Sequence, residues 1–148
     1  MAHRNQSYSS KDYEKLLRED EKRIYSESLF LTAQDLLGYK EVNWHTHYKV
    51  IESLQGPSKR KLIVMPRGTF KSSLCSVSYP IWLLNRNPNL RIMLDSELYS
   101  NSKNFLREIK LHMMSEKLTS IYGEYYNQSC WNEGEIIIRQ RTKVVKEA

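Results

Sequence analysis

The feature that most constrains the fold is a short apolar run followed directly by a turn and a helix start. The run is Leu62-Ile63-Val64-Met65, the turn covers 66–70, and a helical pattern begins at Lys71. A short run with β-branched residues and turn signals on its far side predicts a buried strand. The sequence therefore predicts a strand, a tight turn and a helix in direct succession.

The alternation of strand and helix continues along the chain. A helix is predicted from Lys71 to Asn85, with a kink at Pro80, followed by a strand over 90–94, a helix over 99–114 and a strand over 135–140. This order is typical of a parallel sheet with helices on both faces. We expect an α/β fold with a doubly wound, mostly parallel sheet. Because such sheets usually contain about five strands, and three are found, we expect an incomplete domain.

The first third of the chain is predicted to be helical. Ser9 and Ser10 can cap a helix that begins near Lys11 and stops at Gly38. Asn43 can cap a second helix, which ends at 56–57, a Gly-Pro pair. We predict an N-terminal helical segment over 1–38 and a truncated α/β domain over 39–148.

Composition sets limits without naming a function. The net charge of +6 favours anionic partners, and the two cysteines have no spacing that indicates a disulfide framework or a zinc site. The polar start and the shortness of every apolar run predict neither export nor a membrane anchor. We expect a protein of a reducing cytosol.

The turn before Lys71 meets several needs of a phosphate-binding loop. Such a loop requires inward-pointing backbone N–H groups, a lysine that reaches the β- and γ-phosphates and a hydroxyl that holds Mg²⁺. Lys71, Ser72 and the helix N-terminus come in the right order. The usual pattern has glycines where this chain has Met65 and Phe70, and Gly68 is the only glycine of the turn. An ordinary turn with a solvated lysine and a capping serine therefore stays open.

The segment Met65-Pro66-Arg67-Gly68-Thr69-Phe70-Lys71-Ser72-Ser73 resembles the deviant Walker A motif of phage terminase large subunits. That motif often has proline, arginine, glycine, two variable residues, lysine and serine or threonine. The resemblance covers roughly residues 29–148 and is carried by order and spacing. Its other parts are 36–39, 47–54, Pro80-Ile81-Trp82, 85–89, 100–110, Trp131, 136–138 and Arg141.

The resemblance implies the Walker A half of a P-loop ATPase that packages viral DNA into a procapsid, joined in the family to an endonuclease domain. ATP and Mg²⁺ would be the cofactors. Partners would be double-stranded DNA, the portal and procapsid, the terminase small subunit and further copies in a ring, in the cytoplasm of a bacterial host. The Walker B aspartate, the catalytic glutamate and the nuclease would lie beyond Ala148, so we expect no activity from this chain alone.

By the same resemblance, each residue of the turn has an expected role. Lys71 would neutralise the β- and γ-phosphates, Ser72 would bind Mg²⁺, and Arg67 would act as a nucleotide-state sensor or phosphate contact. Backbone N–H groups of Gly68 through Lys71 would hold the phosphates. The expected nucleotide-binding residues are Pro66, Arg67, Gly68, Thr69, Phe70, Lys71, Ser72 and Ser73, with Lys71 and Arg67 as the catalytic pair.

Other polar residues have structural explanations that are favoured over functional ones. Asp95 ends an apolar run as a Walker B aspartate would, but capping of the next helix is favoured. His45 and His47 face different directions on a helix, so surface or core imidazoles are favoured over a metal site formed with His3 or His112. Packing is favoured for Cys75.

Two further groups could contact nucleic acid. Basic side chains could bind DNA phosphates, although solvated strand ends explain them equally well: Lys59, Arg60, Lys61, Arg139, Arg141, Lys143 and Lys146. Tyr122, Tyr125 and Tyr126 near Trp131 could stack on a base, but a packed surface corner is favoured. Two alternatives to a terminase stay open, namely a helicase-like P-loop enzyme and a non-catalytic basic module.

Overall fold

The computed structural model describes residues 10–143, which form a helical structure. Its helices are α1 (Ser10–Glu27), α2 (Leu29–Leu31), α3 (Trp44–Gln55), α4 (Tyr79–Arg86), α5 (Tyr99–Met113) and α6 (Glu116–Tyr122). A π-helical turn over Thr32–Leu36 continues α2, and a π-helical segment over Ser73–Ser78 precedes α4. Helical backbone starts at Lys71, so residues 71–86 form one continuous element, which we call the 71–86 helix.

Side-chain caps mark the start of α2, α3 and α6. Asn43 accepts a hydrogen bond from the Thr46 N–H at 2.9 Å and caps α3, whose last turn closes on Gly56, as predicted. The single predicted helix from 11 to 37 is divided at Ser28, whose hydroxyl caps α2. Gly38 ends this region with a φ of 80°, as a glycine stop should.

The 71–86 helix lies between two apolar clusters and belongs to both. Val77 and Ile81 join a cluster with α5, α6 and the segment before Gly38. Leu74 and Trp82 join a second cluster with α2 and α3. Helical spacing predicts six inward side chains in this helix. Four of them are buried, namely Leu74, Val77, Ile81 and Trp82, and two are half-buried, namely Cys75 and Leu84. Because both clusters close on it, this helix is the central element of the described chain.

Pro80 is accommodated without ending the helix. A proline cannot donate to the preceding turn, and its ring clashes with the carbonyl four residues earlier. The π-helical segment ends at Ser78, and Ser78 donates its buried hydroxyl to the Ser73 carbonyl at 2.8 Å. The predicted distortion therefore takes the form of a widened turn before the proline.

The predicted α/β fold is wrong for residues 10–143. No paired strand forms in this part of the chain, which has only an isolated antiparallel bridge between Trp131 and Ile136. Segments 62–65, 90–94 and most of 135–140 are extended or irregular instead. A P-loop NTPase with a doubly wound parallel sheet is excluded by this finding. An apolar run favours extended backbone, but a strand also requires a neighbouring chain segment that completes its backbone hydrogen bonds.

Residues 1–9 and 144–148 lie outside the described residues. The expectations for Ser9 as a helix cap, for His3 and for Lys146 fall there. None of the helices between residues 10 and 143 is both long enough and apolar enough to cross a bilayer.

Candidate phosphate-binding loop

The candidate site is the 65–73 loop, which follows the irregular segment 62–64 and includes the first three residues of the 71–86 helix. On its N-terminal side Leu62 is 91% exposed and Val64 is 82% exposed. Ile63, between them, packs against the cluster that includes Leu74. On its C-terminal side the loop therefore continues into a packed helix, whereas in the segment 62–64 only Ile63 packs against the core.

Lys71 reaches back across this loop. Its Nζ donates a long hydrogen bond, 3.4 Å, to the carbonyl of Met65, the first residue of the loop. The side chain is half-buried. Thr69 closes the same loop by donating its hydroxyl to the Pro66 carbonyl at 2.8 Å. The ammonium group is thus held at the mouth of the loop, where an anion could replace or share its contact with Met65.

Two residues of the loop have positive φ angles. Gly68 has a φ of 77° and Phe70 a φ of 53°. Phe70 occupies the position before the lysine at which the general phosphate-loop pattern has glycine. The residue is therefore not a glycine, but it adopts the left-handed backbone for which glycine is usually required at such a position.

The helix start supplies further donors. The first hydrogen bond of the 71–86 helix runs from the Leu74 N–H to the Phe70 carbonyl. The N–H groups of the first turn have no acceptor within a helix, and they carry the positive end of the helix dipole. Ser72 and Arg67 are exposed beside them, and Ser73 is half-buried. The expected Mg²⁺ ligand and phosphate contacts are therefore accessible from solvent.

A residue that the sequence did not associate with the loop also contacts it. His47 on α3 is 1% exposed, and its Nε2 lies 2.8 Å from the Thr69 carbonyl oxygen. Its Nδ1 lies 3.2 Å from the Asn43 backbone nitrogen and 3.0 Å from the Asn43 carbonyl oxygen. Because a carbonyl oxygen only accepts, Nε2 must carry a proton and donate.

The two histidines of α3 lie in different environments. His47 is a core residue and His45 is exposed, as opposite-facing positions on α3 require. Throughout residues 10–143, no cluster of three His, Cys, Asp or Glu side chains is arranged to hold a metal ion.

Cys75 provides an electrostatic marker for the position of Lys71. Burial raises the pKa of the Cys75 thiol above its usual range, while the nearby Lys71 charge acts in the opposite direction. A buried thiol with a raised pKa is a poor nucleophile, which agrees with the packing role expected for Cys75.

The other candidate residues, Asp95 and the tyrosines, make contacts outside the loop. Asp95 accepts from the Ser96 N–H at 2.9 Å, whereas Leu98 is the residue before α5, so the helix-cap role predicted for Asp95 is wrong. Tyr125 is buried and donates to Asn85 at 2.6 Å, which confirms packing for this tyrosine. Tyr126 contacts Trp131 edge-on and stays partly exposed.

The basic side chains differ in their freedom to bind DNA. Lys61 donates to the carbonyls of Leu54 and Gly56, and Arg139 is paired with Glu124. Arg141 donates to the carbonyls of Leu90 and Lys143. Lys61, Arg139 and Arg141 therefore make contacts within the described residues, while Lys59, Arg60 and Lys143 are exposed.

A cavity of about 390 Å³ lies elsewhere, lined by residues of 90–94, of α5 and of 133–138. None of residues 65–73 lines it. Comparisons of the chain with protein-family profiles, with curated proteins and with solved structures found no match.

Proposed function

We propose that the 65–73 loop binds the phosphate groups of a nucleoside triphosphate, with ATP and Mg²⁺ as the expected ligands. The observation that carries the proposal is the position of Lys71, whose Nζ lies at the Met65 carbonyl on the opposite side of the loop. A lysine at the mouth of a loop that opens onto a helix N-terminus is the arrangement that polyphosphate recognition requires.

The proposed roles of the loop residues follow from the charge, hydroxyl and N–H groups that they carry. Lys71 would neutralise charge on the β- and γ-phosphates, and the Ser72 hydroxyl would contribute to Mg²⁺ binding. Arg67 would add a second cation from the loop, and the backbone N–H groups of 68–71 would donate to phosphate oxygens. The positive φ of Phe70 supports this proposal, since it gives the loop the backbone shape for which the usual pattern needs glycine.

The proposal is limited to binding. Phosphoryl transfer depends on positioning, charge neutralisation and a group that orients the attacking nucleophile. The sequence offers no residue that we can assign to this last role, so we propose no hydrolysis by this chain alone.

A wider proposal rests on the terminase resemblance alone. In it, the chain is the ATP-binding part of a DNA-packaging motor that acts with double-stranded DNA, the portal and procapsid, the small subunit and further copies in a ring. Its place would be the bacterial host cytoplasm, with transient attachment to the procapsid. The parallel sheet that the resemblance implied does not form in residues 10–143, so the fold gives this wider proposal no support.

Nucleotide binding can be tested by titrating the chain with ATP and Mg²⁺ in a calorimeter. We expect Lys71→Ala to weaken binding at least tenfold, because a charge-assisted contact to phosphate contributes about 1.5–3 kcal/mol. Lys61→Ala is a matched control, since Lys61 is also half-buried and also donates to backbone carbonyls. It should leave the affinity within about twofold.

Two results would contradict the proposal. One is no measurable binding by the unmodified chain, and the other is equal affinity in the Lys71→Ala and unmodified chains. Salt-sensitive DNA binding without nucleotide affinity would instead favour the non-catalytic basic module. Nucleotide binding without any effect of portal protein or procapsid on it would favour another nucleotide-binding protein over a packaging motor.

A further inference from the structure

The peptide bond between Thr69 and Phe70 is held by a residue outside the loop. The Thr69 carbonyl accepts from the buried Nε2–H of His47 at 2.8 Å. The residues that the structure describes contain no cis peptide bond, so this peptide is trans. In a trans peptide the C=O and N–H of one plane point in opposite directions. The Phe70 N–H therefore points away from His47.

That N–H belongs to a partly exposed residue. Between residues 10 and 143, it donates to no protein acceptor. A backbone N–H in a loop at a helix N-terminus is the type of donor that binds phosphate oxygens. The orientation of this one peptide decides whether the loop presents a donor or a carbonyl oxygen there.

The orientation is held against a local preference. Phe70 has a φ of 53°, which is unfavourable for a residue with a Cβ atom. Rotation of the Thr69–Phe70 peptide plane by about half a turn would return Phe70 to a negative φ, since that rotation changes mainly ψ of Thr69 and φ of Phe70. The same rotation would break the bond to His47 and turn the Thr69 carbonyl towards the position now held by the N–H.

We infer that His47 is a positioning residue for the phosphate loop, which keeps the Phe70 N–H directed towards the phosphate position by holding the Thr69 carbonyl. The inference rests on the proposed function. Nδ1 of His47 lies within hydrogen-bond distance of the Asn43 backbone nitrogen and carbonyl oxygen, so the same ring also contacts the residue that caps α3. His47 thereby connects α3 to the loop.

The test uses two substitutions of His47 and one of Phe70. His47→Phe fills the buried space without a donor, whereas His47→Gln can place an amide N–H near the position of Nε2. We expect His47→Phe to weaken binding of Mg²⁺-ATP and of inorganic triphosphate about three- to tenfold, the ratio expected for loss of one hydrogen bond. His47→Gln should retain more affinity than His47→Phe.

Phe70→Gly separates positioning from general stability. Glycine adopts positive φ readily, so this variant should keep its loop conformation with less need of His47. We expect the loss of affinity caused by His47→Phe to be clearly smaller when Phe70 is glycine. If His47→Phe weakens binding equally in both backgrounds, the positioning role is wrong and His47 only stabilises the fold.

A readout without ligand distinguishes the inference from the proposed function. Backbone chemical shifts of Phe70 report the sign of φ, and in folded His47→Phe they should change to values of negative φ. Unchanged Phe70 shifts would overturn the inference even if nucleotide binding is real. Changed shifts in a chain that binds no nucleotide would retain the peptide-holding role and contradict the proposed function. If His47→Phe does not fold, His47→Leu replaces it, with the Phe70 shifts again as the readout.

Discussion

The two sides of the candidate loop differ sharply in how they are attached to the rest of the molecule. The helix that follows the loop contributes fully buried side chains to both apolar clusters. The segment that precedes it exposes Leu62 and Val64 almost completely. Both sides are apolar in sequence, so hydrophobicity does not explain the difference. What separates them is whether other elements pack against them.

This difference shows how a loop can be held without a sheet. In the predicted fold a buried strand would fix the N-terminal side of the loop. In the structure that role falls to two smaller contacts, the Ile63 side chain and the bond from His47 to Thr69. On its C-terminal side the loop is thus fixed by the packed 71–86 helix. Its other attachments are the Ile63 side chain and the hydrogen bond from His47.

The largest expected effect compares one leucine on each side. Leu74→Ala should lower the free energy of unfolding by roughly 2–5 kcal/mol, because it leaves a cavity between packed helices. Leu62→Ala, the same change at an exposed position, should alter it by less than about 0.5 kcal/mol. Urea denaturation of both variants measures the contrast. Similar losses would mean that Leu62 is packed and that the two sides are equivalent.

A smaller effect is expected at the cap of α3, the helix that carries His47. Asn43→Ala should cost about 1 kcal/mol of unfolding free energy, because the Thr46 N–H loses its acceptor. Asn43→Gly should lower the free energy of unfolding by only a few tenths of a kcal/mol, since glycine is tolerated at a helix N-cap. Thermal melting of the pair checks the order. A reversed order would show that the Asn43 side chain does not cap α3.

The stability of the packed helices should also depend on pH, through His112 on α5. His112 on α5 lies 2.8 Å from the Tyr39 hydroxyl, which also donates to Glu108 at 2.5 Å. Burial lowers the pKa of His112, and the Glu108 charge acts in the opposite direction. Protonation is therefore less favourable in the folded chain than in the unfolded chain, whose histidine pKa is about 6.5.

It follows that this contribution to stability is present above about pH 6.5 and is lost as the pH falls below that value. Melting temperatures of the unmodified chain and of His112→Gln should therefore converge or cross as the pH is lowered from 7.5 to 5. A constant difference between the two over this range would contradict the direction of the His112 pKa shift.

The smallest expected effect examines the loop itself without a ligand. The Lys71 charge opposes the burial that raises the pKa of Cys75, so Lys71→Ala should raise that pKa further. Alkylation of Cys75 by iodoacetamide at pH 8 should then be slower, because only the thiolate reacts. The alkylation rate of Cys130 in the same chain is the internal control. A faster reaction of Cys75 would mean that its burial, not its charge environment, had changed.

The helices show how much local sequence can specify. Asn43, Gly38 and the buried stripe of the 71–86 helix were identifiable because caps and 3.6-residue periodicity act within a few residues. The short helix α6 was not predicted, although Ser115 caps it, because seven residues are too few to show a clear helical periodicity. Lys71 and the order of the loop residues were likewise visible in the sequence.

By itself, then, the sequence determined the main helices, their stops and the presence of a lysine and serine at a helix start. Only the tertiary structure decided that segments 62–65 and 90–94 remain without strand partners, because pairing depends on residues distant along the chain. It also decided the positive φ of Phe70 and the contact of His47 with Thr69, 22 positions apart. Both depend on how α3 packs beside the loop, and no local pattern records that packing.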